Sequence, residues 1–357
     1  MAVDPARAFG YFSLSVDFCC GLFSVTERLK RALPDEGEGF VPEPGLLWLS
    51  LKAPPPVPAN FFWKEKPVLS YRGGGKRFDI NEDEAVVLES PMDLFALNNT
   101  LAEKDRSLYE ADPFLNVLPE GVHFRGNRKD LLIHKTARIL PQIAVSTENG
   151  PVVIDQEAVI APFSVLEGPL YVGKGAHIDG AKVTGGTYIG EQCRIGGEVE
   201  ASVFHPFSNK HHEGFIGHSV IGRWVNLGAL TTGSDLKNNY APVRFPDPQG
   251  EFLATPHLKL GALVGDHVKT GIGTLLNTGS RISLGSLIAG GGMAPNWLPP
   301  FSWHVDGKTR LYEIRSFIHT EKIVMGRRNQ EMSEDYEQKM RALFNDSKGF
   351  HEKGEGK

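Results

Sequence analysis

Sulfur is scarce in this chain: 357 residues carry three cysteines, Cys19, Cys20 and Cys193. Two of them are sequence neighbours, which argues against a disulfide framework and for a reducing, cytoplasmic compartment. An excess of positive charge is also missing. The formal net charge is −5, which leaves no basic field for nucleic acid. Long apolar runs are absent too. Residues 8–25 come closest, but Asp17 interrupts them, Ser and Gly dilute them, and no basic cluster stands before them. That stretch reads as a buried strand running into a helix start at 26–33, with no membrane span. What the chain has in plenty is glycine. Its 40 glycines concentrate between residues 121 and 292, where a repeat architecture accounts for them.

The length suits two folded units and a tail. Residues 1–125 show no repeat and are expected to form an irregular α/β unit. Within it, 46–51 reads as a short strand ended by Ala53-Pro54-Pro55-Pro56, since prolines punctuate regular structure. Residues 67–71 and 77–80 flank Gly73-Gly74-Gly75, a hairpin signature. Residues 93–108 carry apolar side chains at helical spacing. A polar link follows around 120–129.

From Ile133 the period changes. Aliphatic residues stand at 133 and 139, at 154, 160, 166, 172 and 178, at 189 and 195, at 216, 221 and 227, and at 264, 276, 282 and 288. Small residues, mostly Gly or Ala, follow many of them. A spacing near six gives a coil with three faces, each sending one aliphatic side chain inward, so that stacked coils share a core. This hexapeptide β-helix is assigned to residues 126–305. Two insertions are expected to break its rhythm, at 203–214 and at 233–257, and loops leaving a solenoid commonly build its binding site. Pro295 and Pro299-Pro300 close the column. Residues 306–357 form a C-terminal extension, helical over 313–344 and a solvated tail from 345.

The segment 203–214 holds His205, His211 and His212. After His212 come Phe215-Ile216-Gly217, Ile221-Gly222 and Val225-Asn226-Leu227-Gly228-Ala229, the marks of successive coils. A histidine on such a wall, with an asparagine on the next coil, sets a base beside an amide that orients a substrate. An amine acceptor is mostly protonated at neutral pH, and an imidazole with a pKa of about 6.5 suits the removal of its proton. His212 is therefore the candidate general base of an acyl transfer. His211, without such a motif, reads as its neighbour.

Residues 196–244 resemble the acetyltransferase domain of the bifunctional uridylyltransferase/glucosamine-1-phosphate acetyltransferases. The resemblance rests on Gly196-Gly197-Glu198-Val199-Glu200, on His212 through Gly217, on Ile221-Gly222 and on Val225-Asn226-Leu227-Gly228-Ala229. A divergent bacterial branch described as sugar nucleotidyltransferases also carries Ser208-Asn209-Lys210, Ser234-Asp235-Leu236-Lys237-Asn238-Asn239-Tyr240 and Met325-Gly326-Arg327-Arg328-Asn329, all present here. A weaker likeness at Pro91-Met92-Asp93-Leu94-Phe95-Ala96-Leu97-Asn98 extends it over most of the chain.

The resemblance implies a left-handed, homotrimeric prism that binds acetyl-CoA as co-substrate between neighbouring columns. Its acceptor would be an amino sugar phosphate such as glucosamine-1-phosphate, on the way to UDP-N-acetylglucosamine. By position it implies His212 as base, with Asn226, Phe215 and Lys259 at the sugar. Ala229, Asn239, Tyr240 and Gly290 would line the CoA groove. The chain departs from the family at Phe215, where a tyrosine is usual. Thr184 and Ser202 also fall near an arginine and a lysine that hold the sugar phosphate; Lys182, His205 or Lys210 is the expected replacement. Residues 1–125 would be a degenerate nucleotidyltransferase-like domain, with Mg²⁺ needed only if it is active. No Gly-rich turn followed by Arg and Pro occurs in its first thirty residues, and Gly73-Gly74-Gly75-Lys76-Arg77 reads as a turn. Two further readings remain beside nucleotidyl transfer: a zinc hydratase using His177, His212 and His218, and a non-catalytic scaffold.

Overall fold

A computed structural model describes residues 118–352 throughout, together with Asn98 and the backbone of short strands between Cys19 and Leu115. Within 8–33 only Cys19–Cys20 and Phe23–Ser24 are described, as an antiparallel pair; the strand expected at 46–51 lies outside the described residues, as does the helix expected at 93–108 apart from Asn98. In the first 125 residues, Tyr71–Gly73 pairs antiparallel with Lys76–Phe78, and Asn98 donates to the carbonyl of Gly186 in the column at 2.8 Å.

Residues 122–305 wind into a left-handed parallel β-helix with three walls. The first wall stacks Val122–Arg125, Ile143–Ser146, Val165–Glu167, Lys182–Thr184, Glu198–Glu200 and Phe215–Gly217, and continues in Thr232–Gly233, Thr274–Leu276 and Gly292–Met293. The second wall is a ten-stranded sheet ending at Trp297–Leu298. The third stacks Arg138–Ile139, Val159–Ile160, His177–Ile178, Arg194–Ile195 and Asn209–Lys210, bridges through Asn226 to Lys269–Thr270, and ends with Leu287–Ala289 and Ser302–Val305. The aliphatic positions read from the sequence all enter one core, from Ile133 to Ile288, with Ile139 partly buried at its lower end. The hexad is thus the folding code of the column: short strands cannot bury a face alone, and stacking gives them a shared one.

Segment 203–214 is not an insertion. Val203–Phe204 pairs with Val220–Ile221, and Asn209–Lys210 pairs with Arg194–Ile195. Phe204 and Lys210 occupy the inward slots of this coil and are fully buried. A charged residue in a core slot hid the coil from a search for aliphatics. Segment 233–257 does leave the column, as an antiparallel pair of Arg244–Pro246 with Phe252–Ala254.

The corner that leads into the third wall is left-handed in coil after coil, at Gln192, Phe207, Trp224, His267 and Phe301, with φ from 55° to 66°. Such a backbone costs residues with a Cβ roughly 1–2 kcal/mol each. Stacking offsets part of it: Phe207 and Trp224 lie face to face at 4.3 Å, and Trp224 and His267 at 6.5 Å.

After a hairpin strand, Lys308–Leu311, helix α1 (Ile314–Gly326) starts at Glu313, whose carboxylate accepts from the amides of Arg315 and Ser316. Helix α2 (Glu334–Glu352) runs past the expected end at 344. Its extra turns are held by packing: Phe344 meets Phe301 edge-on at 5.4 Å, and His351 Nε2 donates to Pro300 O at 2.8 Å. Both helices are fastened to the column by a buried network. Glu321, on α1, bonds His267 Nδ1 at 2.6 Å and also Lys269, while His267 Nε2 meets the Tyr336 hydroxyl of α2 at 2.6 Å. Among the described residues no helix is long and apolar enough to cross a membrane.

Candidate functional site

The turn between the third and first walls recurs in each coil, and it collects the residues singled out by sequence. Gly196, His212 and Ala229 stand in that turn on successive levels of the column, and Gly290 stands in it two levels beyond Ala229. The levels touch. A Cβ on Gly196 would lie 1.9 Å from the carbonyl oxygen of His211, and one on Gly271 would lie 2.8 Å from that of Gly290. Glycine is therefore required at 196 because the His211-His212 backbone passes directly over it. The Ala229 carbonyl accepts from Gly273 N at 2.8 Å.

Lys210 explains how His212 is held. The side chain points into the column and is 2% exposed; its ammonium donates to Gly196 O at 2.7 Å and His212 O at 3.0 Å. Burial pushes it down to about 8, against a small opposing pull from Glu213. It lies on the inner side of the wall and pins the turn from below, away from the cavity outside. His205 is also interior, and burial lowers it to about 3, so it is neutral.

Outside the third wall lies a cavity of about 550 Å³ lined by His211, His212, Asn209, Asn226, Trp224, Phe207 and Val225, with Arg194, Lys269, Val324, Arg327 and Arg328. Rung register explains its floor. His177, Arg194, Asn209, Asn226 and Lys269 are successive partners on the outward face of the wall. Asn209 Nδ2 donates to Asn226 Oδ1 at 2.7 Å, which fixes the Asn226 amide and leaves its nitrogen to donate elsewhere. The His212 ring is exposed and lies 4.9 Å from that of His211. His211 in turn bonds Asp179 at 3.1 Å.

The remaining expected residues stand elsewhere on the chain. Phe215 lies on the first wall, its ring against Gly217. Lys259 pairs with Glu200 at 3.0 Å. Asn239 lines a separate cavity of about 510 Å³ with Ser234, Lys237, Arg244 and Asn277, and Tyr240 is 70% exposed. His218 bonds Asp235 at 2.7 Å. Burial alone would raise the Asp235 carboxyl, but the His218 bond and charge, with Lys259, hold it below its ordinary value. Among the described residues no three His, Cys, Asp or Glu side chains are grouped to hold a metal ion.

Arg194, Lys269, Arg327 and Arg328 did not emerge as site residues from the sequence. The Met325-to-Asn329 motif was visible but had no partner; α1 must fold back for its arginines to reach Arg194. Arg194 and Lys269 each sit immediately before an inward residue of a rung, and rung alternation then turns them outward.

No family model matches the chain. A bifunctional sugar-1-phosphate nucleotidylyltransferase/acetyltransferase of Sulfurisphaera tokodaii is 35% identical over 98 residues, 27% of this chain and 24% of that protein. The bifunctional protein GlmU of Methanococcus maripaludis is 29% identical over 221 residues, 55% of this chain and 52% of that protein. This chain thus matches between 24% and 52% of the length of these relatives. A solved UDP-N-acetylglucosamine acyltransferase from Campylobacter jejuni is similar at 13% identity and a TM-score of 0.22, covering 58% of this chain and 94% of that one.

Proposed function

We propose that this relative of the bifunctional sugar-1-phosphate transferases transfers an acyl group from acyl-CoA to the amine of a sugar phosphate. One observation carries the reading: His212 and Asn226, on neighbouring coils, line the same cavity, and four cations share that lining. The thioester supplies an activated acyl carbon. The exposed His212 imidazole takes a proton from the acceptor amine, whose nitrogen attacks the thioester carbonyl. A C–N bond forms, the C–S bond breaks, and the thiolate leaves with a proton. The Asn226 amide, oriented by Asn209, is suited to hold the acceptor or the developing oxyanion. Confining both substrates to one groove contributes through proximity.

Ala229 and Gly290 share the His212 edge, and their small size suits a thioester arm running along it. Exposed Leu230, Ile272 and Met293 flank the same edge, which supports a second copy of the column covering it and a trimer as the working unit. Phe215, Lys259, Asn239 and Tyr240 would then act from the neighbouring column's side of the groove. The acceptor is tested by assaying CoA release against a panel of amino sugars and their phosphates. The His212→Ala variant should lose roughly 10²–10⁴-fold in turnover while still being stabilised by CoA. Unchanged turnover would remove the base assignment.

A further inference from the structure

The cavity floor holds more positive charge than its surroundings neutralise. Of its four cations only Lys269 has a carboxylate, Glu321. Among the described residues Arg194, Arg327 and Arg328 have no ion pair; Arg194 donates to Gly175 O at 3.3 Å and Arg328 reaches Gln192 O at 3.5 Å. Asp179, the carboxylate whose charge acts on Arg194, is paired with His211. Burial first, and then the Arg328 guanidinium, lowers Arg194 from its ordinary value, against Asp179. His177, one rung below, is lowered by burial and by Arg194 and Arg328 in the same way. Like charges gathered in a partly closed concavity repel each other unless an anion joins them.

This gathering is not an accident of a loose segment. Arg327 and Arg328 follow directly on α1, and α1 is fixed to the third wall by the buried Glu321 bonds to His267 and Lys269. The helix presents its arginines toward the wall, where Arg194 waits three rungs below Lys269, about 14 Å at about 4.8 Å per rung. The charge is therefore concentrated at one end of the cavity, with the Asn209 and Asn226 amides and His212 above it.

We infer that Arg194, Arg327 and Arg328 form a phosphate-binding subsite, built between the third wall and the C-terminal end of α1, that takes a phosphate or diphosphate group of a ligand lying along the Asn209–Asn226 ladder. Planar guanidinium groups match phosphate oxygens in pairs, which gives direction as well as charge. The subsite replaces, from a different wall, the cations absent near Thr184 and Ser202. It depends on the acyl-transfer reading only for which substrate carries the phosphate.

Titration of the full chain with inorganic pyrophosphate in low salt tests it. Saturable binding is expected, weakened about tenfold in Arg194→Gln and in Arg328→Gln, with Arg125→Gln, on the first wall and paired with Glu148, within about twofold of wild type. His212→Ala should bind like wild type, so a failure of the catalytic reading leaves this result standing. Displacement of pyrophosphate by CoA, by a nucleoside diphosphate or by glucosamine-1-phosphate identifies the source of the group; displacement by none of them overturns the subsite as a substrate site. Should either variant melt early, Arg327→Gln, at an exposed position, reads the same binding without disturbing packing. Absence of pyrophosphate binding, or arginine variants that bind as wild type does, overturns the inference.

Discussion

The first and third walls are made of the same short rungs, yet they treat charge in opposite ways. Along the first wall and its far edge, Lys182 pairs with Glu198 at 2.7 Å, Lys259 with Glu200 at 3.0 Å and His218 with Asp235 at 2.7 Å. On the third wall, Arg194 faces Arg327 and Arg328 with no ion pair among the described residues. Exposed pairs stabilise a fold by only about 0–1 kcal/mol, and a surface that neutralises itself has little left to offer a ligand. Unneutralised charge in a concavity costs folding free energy and is useful only when something binds. With the proposed subsite, the difference would separate a wall that serves the column from a wall that serves a substrate.

The strongest way to break that contrast is to remove the carboxylate that holds the charged helix in place. Burial alone would raise Glu321, but His267 and Lys269 outweigh it and keep the carboxyl below its ordinary value. Glu321→Ala should destabilise the chain by about 3–5 kcal/mol, since the buried His267 and the part-buried Lys269 lose the carboxylate that joins them. Denaturant unfolding measures this, and pyrophosphate affinity should fall with it as α1 loosens.

Lys210 sharpens the contrast between cations outside the wall and the one inside it. Its folded value, about 8, lies below the ordinary 10.5, so between these limits the unfolded chain binds more protons. Stability should then rise with pH from about 8 to about 10.5, by up to about 3 kcal/mol. Across that window unfolding curves should show wild type gaining stability relative to Lys210→Met, which has no titrating group at this position. A constant gap would show that Lys210 stays charged. The smallest effect belongs to the first wall: a double-mutant cycle on Lys182 and Glu198, both more than a third exposed, should return less than about 1 kcal/mol.

The column was legible because its code is local. Aliphatic residues six apart identify the inward slots whatever lies between them, and Ile154, Ile160, Leu166, Val172 and Ile178 are all completely buried. The coil holding Phe204 and Lys210 escaped because its slots are filled by an aromatic and a lysine, whose burial depends on carbonyl partners that no spacing shows. The His212–Asn226 pairing was visible as a motif. Its cationic surroundings were not, because Arg328 is brought beside Arg194 by a contact with Gln192, 136 residues away in the chain. Helix α2 likewise outran its apolar pattern, since Phe344 and His351 are held by Phe301 and Pro300 of the column's end.

The most direct test compares kcat/KM for an amino sugar phosphate with that for the same sugar lacking its phosphate, in wild type, Arg328→Gln and Arg125→Gln. The preference for the phosphorylated sugar should fall about tenfold in Arg328→Gln and stay unchanged in Arg125→Gln. An equal loss in both variants, or none in either, would contradict the assignment of substrate phosphate to the third wall.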